Sequence, residues 1–423
     1  MERKKILWFC NARFTKQKVK GTGSWLQPLA ELINNTDKYK VVNVTIGNVE
    51  QIVIEEINGI TQYVLPQEKR WQSHSSWVKE TGIRIGQIEN DVQPSLNHIW
   101  GTEGIWASCY LRGFLKFPSF LEVQGVVSTV AENYYGGLSN SELFRCFLAP
   151  ASLYNFPKMT LYYAKSDFEK RGVEEAKAIK VFRHISVQSQ WTRNQVKAIN
   201  PEASYYMTRR MVRDSFYSAS AWTFKNSSDH PVVFTSSSGS APYKGLHVLL
   251  KSMRILKTKY PKVKLRIAGG FTNRPPLLRY GYTRFLMKLI KEYDLAENVD
   301  FVGSLTADQL VEELKNANVC VIPSFVESYC AAMAEAMIVG TPCVASFAGA
   351  MPEFAINGEE ALYYTPNDYA SCAEYISSLL ENKNKAESFS CRARERRLRL
   401  IEKSKVLEVQ LSIYDKIINC FNG

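Results

Sequence analysis

From Pro231 to Tyr364 the chain alternates between short apolar runs of strand length and longer segments with helical spacing. "PVVFTS" is followed by "LHVLLKSMRILKTKY", where Leu249, Met253 and Leu256 recur at the helical period. "VKLRIAGG" ends in glycines, and "VDFVG" precedes "TADQLVEEL", where Thr306 and Gln309 have the spacing of a capping box. "VCVIPS" leads into an apolar helix that Gly340 and Pro342 terminate, and "PCVAS" and "ALYY" complete the series. Strands alternating with helices imply a parallel, doubly wound sheet, and such sheets take ligands at the carboxyl ends of their strands.

A chain of 423 residues is too long for one core, so a second domain is expected. The first half opens with "KILWFC", a loop "KGTGSW" and the apolar-periodic "WLQPLAELI", which reads as strand, Gly-containing loop and helix. The polar "SASAWTFKNSSDH" reads as a linker. The expected division is therefore 1–217, a linker at 218–230, and 231–400. A terminal helix at 401–423 carries enough apolar residues to dock on the first domain.

Several chemistries are set aside at this level. Nine cysteines without a CxxC pair point to free thiols in a reducing compartment. The apolar run in "MERKKILWFCNARF" is too short for a signal peptide, and no stretch approaches the ~18 apolar residues of a membrane span, so a cytoplasmic chain is expected. The five histidines have no metal-ligand spacing, and no Asp-x-Asp occurs, so neither a bound metal nor another cofactor is expected. "GTGSW" is not the dinucleotide fingerprint of a dehydrogenase.

The net charge of +12 leaves nucleic acid, anionic lipid or a phosphorylated substrate as partners. No zinc-finger spacing, RNP-like motif or dense basic stripe supports nucleic acid. "LRGFLKFPSF" and "RPPLLRYGYTRFLMKLIKEY" interleave bulky apolar and basic residues, a mixture that suits an anionic membrane surface on the inner face of the cell membrane.

The stretch "PSFVESYCAAMAEAMIVGTPCVAS" holds Glu327 and Glu335 with seven residues between them in otherwise apolar surroundings. On one helix they would lie about two turns, or roughly 10 Å, apart on the same side. An unpaired buried carboxylate is costly, so something should meet those oxygens. Glu327 sits just ahead of the helix, where free backbone N–H groups face a ligand. Glu335, further in, could accept from both hydroxyls of a ribose diol. In "APYKG", Lys244 follows the Ser/Gly-rich "TSSSGS" at a helix start, where amides plus one ammonium suit a diphosphate.

Taken together, the order Lys-Gly, "RIAGG", "FVGSLTADQL", the spaced glutamates with "EAMIVGTPCVAS", and "AGAMPEFAINGEEALYY" resembles the C-terminal half of glycosyltransferase family 4. The resemblance spans about residues 231–385. In the first half, "KGTGSW" lies where members carry a Gly-rich loop, "QPSLNHIWGTEG" resembles a His- and Gly-containing family stretch, and "VQSQWTRNQVKAINP" is similar to the last strand-helix unit of that domain. The family implies an α/β GT-B fold: two Rossmann-like, doubly wound parallel-sheet domains facing across a cleft. It also implies a retaining, metal-independent transfer from a nucleoside-diphosphate sugar, UDP by family frequency, to an acceptor hydroxyl. A growing or lipid-linked glycan in cell-surface polysaccharide synthesis is the acceptor that the basic, aromatic-rich first half suits.

Carried onto this chain, the resemblance gives Glu335 the ribose hydroxyls, Glu327 the donor sugar near its C3 and C4 hydroxyls, and Lys244 the departing diphosphate. Amides at Ser328, Tyr329 and Cys330 and around Gly21 and Gly23 would cradle sugar and phosphates, with Gly303 also on the donor side. Two positions depart from the pattern. Ser238 stands where members carry an arginine, and Gln124 stands where many carry a histidine. Gln124 can donate to a sugar hydroxyl but cannot act as acid or base. His98 and Glu103 are candidates for the acceptor side. A nucleotide-sugar epimerase of the same fold, or a non-enzymatic basic binding protein, are the alternatives.

Overall fold

The computed structural model describes residues 3–17, 25–68, 74–154, 157–225, 230–237, 241–270 and 279–422. The chain forms two compact units: Met1–Val127 with Arg171–Arg213 and Leu400–Gly423, and Ser128–Lys170 with Asp214–Arg399.

The first unit is built on β1 (Lys4–Phe9), β2 (Tyr39–Gly47), β3 (Val53–Ile57), β4 (Ile60–Pro66), β5 (Leu96–Trp100), β6 (Ser119–Glu122), β7 (His184–Val187) and β8 (Ser204–Met207). They lie in the order β3-β4-β2-β1-β5-β6-β7-β8. Every pairing is parallel except the β3–β4 hairpin, whose turn residues Asn58 and Gly59 both have positive φ. Ile6, Leu7, Trp8 and Phe9 of β1 are wholly buried, as expected for a central strand covered on both faces.

The terminal helix Lys403–Asn422 packs on this sheet and closes a buried polar node. The Tyr414 hydroxyl accepts from Trp8 Nε1 at 3.0 Å and lies 2.7 Å from His98 Nδ1. Burial holds the His98 imidazole well below its usual range. The other ring nitrogen, Nε2, lies 3.8 Å from Glu122 Oε2. Tyr414→Phe would leave Trp8 Nε1 and His98 Nδ1 without this partner in the core. It is expected to cost about 1–3 kcal/mol in urea unfolding, read as a lower midpoint with an unchanged slope.

The second unit is built on β9 (Val232–Ser236), β10 (Lys264–Ala268), β11 (Val299–Gly303), β12 (Val319–Ile322), β13 (Cys343–Ser346) and β14 (Ala361–Tyr364). The order is β11-β10-β9-β12-β13-β14, all parallel. The chain winds outward from β9 one way, then returns and winds the other way from β12. That reversal places a switch point at the carboxyl ends of β9 and β12. Thr306 and Gln309 do form a reciprocal capping box, and Gly340 closes its helix in the left-handed conformation.

Two expectations are corrected here. Residues 128–170 do not group with the first unit. Glu142 of this excursion pairs with Lys251 at 2.9 Å, and the Cys146 carbonyl lies where a Cβ on Gly281 would come within 2.2 Å, so the segment is packed into the second unit. Residues 218–225 are not a free linker. Trp222 is buried, donates from Nε1 to the Ala317 carbonyl at 2.7 Å, and pairs its backbone N–H with Val339 at 2.8 Å. Within the two apolar–basic stretches, Leu115 and Phe120 in one, and Tyr282, Phe285, Leu286 and Leu289 in the other, are core residues.

Candidate functional site at the carboxyl ends of β9 and β12

Beyond β9 the chain makes a short turn at Pro242–Lys244 and enters the helix Leu246–Lys259. Beyond β12 a loop runs from Pro323 to the helix Ala331–Val339. The two loops are fastened together. The Phe325 N–H donates to the Tyr243 carbonyl at 2.7 Å. Gly245, with φ of +71°, brings its Cα so close that a Cβ there would lie 1.9 Å from the Pro323 carbonyl oxygen. Only glycine permits both that dihedral and that approach.

This fastening sets Lys244 against Glu327. Their Nζ and Oε1 atoms are 2.6 Å apart, and Ser324 Oγ donates to the same Glu327 oxygen at 2.8 Å. The side chains are 18% and 15% exposed, so the pair is largely withdrawn from water. For Lys244 desolvation is the largest single influence and works to lower the ammonium. The charges of Glu327 and Tyr243 and the hydrogen bond to Glu327 together outweigh it and leave the lysine above its usual range. Lys244 is thus a fixed cation at the switch point. From the far side, the Ala350 N–H donates to the Glu327 carbonyl at 2.8 Å, and Gly349 approaches that carbonyl so closely that a Cβ would come within 2.3 Å.

The expectation that Glu327 and Glu335 share one helix face is corrected. The helix begins at Ala331, so Glu327 lies in the preceding loop and only Glu335 is helical. Glu335 is partly buried, and its charge reaches Cys320 of β12. Ser328, Tyr329 and Cys330 form the approach to the helix. The Tyr329 ring meets Phe354 edge-on at 5.0 Å, and its hydroxyl accepts from Arg397. Burial pushes the Cys330 thiol up, away from the thiolate form. Gly303 ends β11 on the same sheet edge, and its carbonyl accepts from the Gly269 N–H at 2.8 Å. Gly21, Gly23 and Ser238 lie outside the described residues.

In the first unit, Gln124 and Glu103 follow β6 and β5 on the carboxyl edge. Glu103 is exposed as a residue, yet its carboxylate oxygens lie 2.3 and 2.6 Å from where Cβ atoms on Gly101 and Gly125 would stand. Desolvation pushes its carboxyl up, opposed by the charges of Arg171 and Arg210. His98 is not an acceptor-side residue: it is wholly buried in the Tyr414 node. Sequence reasoning passed over Ser324 and Gly349, although both lie in quoted motifs. A small polar residue three before a glutamate is too common a pattern to point to the 2.8 Å bond it makes here.

His247, at the head of the helix after β9, is buried, stacks on Phe325 at 6.0 Å and shares a hydrogen with the Tyr282 hydroxyl at 2.8 Å. Burial, with the Lys251 charge adding to it, pushes the imidazole down to about 3. A base depressed in the folded state contributes stability above its unfolded pKa of about 6.5, and that stability is lost as pH falls toward the folded value. Urea midpoints should fall over that acid range. His247→Gln should remove up to ~1.4 kcal/mol per pH unit of the slope, the contribution of one proton.

The sequence profile of glycosyl transferases group 1 matches residues 220–396. Among curated proteins, a glycogen synthase of Mycobacterium tuberculosis is 29% identical over 153 residues, covering 36% of this chain and 35% of that protein. An MMP alpha-(1->4)-mannosyltransferase of Mycolicibacterium hassiacum is 29% identical over 182 residues, 43% of this chain and 42% of the relative. The match therefore spans well under half the length of these relatives. Over nearly the whole chain the fold is similar to a sucrose-phosphate synthase of Thermosynechococcus elongatus, with a TM-score of 0.75 at 17% identity, covering 99% of this chain and 100% of that one. It is also similar to Anabaena HepE in complex with UDP-glucose, with a TM-score of 0.67 at 16% identity over 98% and 99%. The segment 220–396, which carries Lys244, Glu327 and Glu335, is thus similar to glycosyl transferases group 1, and the chain has the two-unit, parallel-sheet GT-B fold.

Proposed function

We propose that the protein transfers a sugar from a UDP-linked donor to an acceptor hydroxyl with retention of anomeric configuration and without a metal ion. The observation that carries this reading is the buried Lys244–Glu327 pair at the switch point of the second unit. Departure of a nucleoside diphosphate builds negative charge on its terminal oxygens, and a donor fixed beforehand stabilises that charge without reorganisation. Lys244 supplies the fixed cation, and the first-turn amides of the helix Ala331–Val339 supply further donors. Glu327, held by Ser324 and by its own backbone, offers carboxylate oxygens to sugar hydroxyls, and Glu335 grips the ribose diol. The UDP-glucose bound by the HepE relative supports the donor class. Gln124, on the first unit, is the candidate donor of a hydrogen bond to a sugar hydroxyl. The acceptor is a glycan, soluble or carried on a lipid.

The test is product analysis with UDP-sugars and a panel of glycan acceptors in the presence of a chelator. Release of UDP coupled to an α-linked product from an α-linked donor supports the proposal. A β-linked product overturns retention, and activity only after metal is restored overturns the metal-free reading. Sugar interconversion with donor alone would instead identify an epimerase.

A further inference from the structure

The excursion 128–170 leaves large apolar side chains facing outward from the second unit. Phe144 is 58% exposed, Leu148 47%, Leu153 53% and Tyr162 76%. The packing explains why they point outward. The helix Asn140–Phe147 is fixed by its Ser139–Glu142 capping box and by the Glu142–Lys251 pair. Cys146 turns inward, where its carbonyl meets Gly281 of the helix Gly281–Glu292. Phe144 and Leu148 are each two residues from Cys146, which on a helix puts them on the opposite face. The next helix, Pro150–Tyr154, buries Ser152, which donates to the Met159 carbonyl at 3.0 Å, and leaves Leu153 outside.

Cations border this face. Arg284 Nη1 donates to the Leu148 carbonyl at 3.2 Å, and both Arg284 and Lys288 are exposed one turn apart on a helix whose other side is core. Residues 139–170 and 279–293 together carry eight basic and four acidic side chains. Of the acidic ones, Glu142, Glu169 and Glu292 are paired with lysine or arginine of this unit.

We propose that this face docks on an anionic lipid surface, with Phe144, Leu148 and Leu153 entering the headgroup boundary and Arg284 and Lys288 meeting lipid phosphates. Apolar side chains interleaved with long basic ones match a surface that is apolar below and negative above. A second copy would fit less well, because a two-fold contact sets the same patch, and the same cations, against themselves. The inference stands apart from the transfer reading, since lipid binding needs no sugar donor.

The test is flotation of the full chain with phosphatidylcholine vesicles with and without phosphatidylglycerol. Wild type should float with the anionic vesicles and lose that binding as salt is raised. Phe144→Ser with Leu153→Ser should weaken it about tenfold or more, and Arg284→Glu should weaken it and flatten its salt dependence. Circular dichroism and UDP binding, unchanged in these variants, separate loss of docking from misfolding. The proposal is overturned if wild type floats with neither vesicle, or if the serine variant floats as well as wild type. It is also overturned if the apolar substitutions convert a dimer to a monomer while vesicle binding is absent.

Discussion

Lys244→Ala is expected to lower the rate of sugar transfer by about 10²–10³-fold, the range seen when one fixed donor to a developing oxyanion is removed. The same substitution strands Glu327, 15% exposed and 2.6 Å from the lost ammonium, with Ser324 Oγ as its remaining side-chain partner among the described residues. Breaking a buried pair by removing one member costs about 3–5 kcal/mol, and the residual exposure of these side chains brings the expectation down to about 2–3 kcal/mol. Lys244→Ala with Glu327→Ala should be less destabilised than the sum of the single changes, because the double variant leaves no uncompensated charge. The pH dependence has a definite sign. Lys244 is raised in the folded state, so its contribution is present at all pH values below the ordinary lysine range near 10.5 and fades only as pH rises through the higher folded value. The stability gap between wild type and Lys244→Ala should therefore be flat through neutral and mildly alkaline pH. A gap that closes below pH 9 or so would contradict the paired geometry.

Gly245→Ala is expected to be nearly as damaging, by a different route. The new Cβ would sit 1.9 Å from the Pro323 carbonyl oxygen at a backbone φ of +71°. The dihedral alone costs an alanine about 1–2 kcal/mol. The clash forces the β9 and β12 loops apart, so a total of at least about 3 kcal/mol is expected, together with loss of the Lys244–Glu327 contact and of transfer. Gly303→Ala provides the comparison. Its φ of +74° is almost the same, but a Cβ there meets nothing within 4 Å among the described residues. That variant should lose only the dihedral cost of about 1–2 kcal/mol, and thermal melts of the two variants side by side separate strain from collision.

These expectations also show what could be read from the residues. The strands of the second unit were legible because each is a short apolar run bounded by glycine, proline or a cap, as in "VDFVG" before Thr306. Lys244 and Glu327 were legible as separate signals. Their contact was not, because it depends on Gly245 touching Pro323 across more than seventy residues of chain, a long-range approach that no local pattern encodes. The shared helix face assigned to the two glutamates failed for a local reason: Ser328 to Cys330 stay extended or bent, and the helix waits until Ala331. In the first unit, Asn58–Gly59 between alternating runs was a hairpin signal in plain view, and it marks the one antiparallel pair of that sheet. The excursion 128–170 was misplaced because its helices are short, and the partners that hold them, Lys251 and Gly281, are far away in sequence. His98 looked like a site residue for want of Tyr414, which arrives from the last helix to bury it.

The central claim is that the carboxyl ends of β9 and β12 hold a nucleoside diphosphate. Calorimetric titration of UDP, with GDP, ADP and CMP as comparators, tests it most directly on wild type and Glu335→Ala without added metal. The account predicts micromolar-range binding of UDP to wild type and a loss of about tenfold or more in the variant, as expected when two ribose hydroxyls lose a carboxylate partner. Equal binding by the two proteins, or no nucleotide binding by wild type, would contradict it.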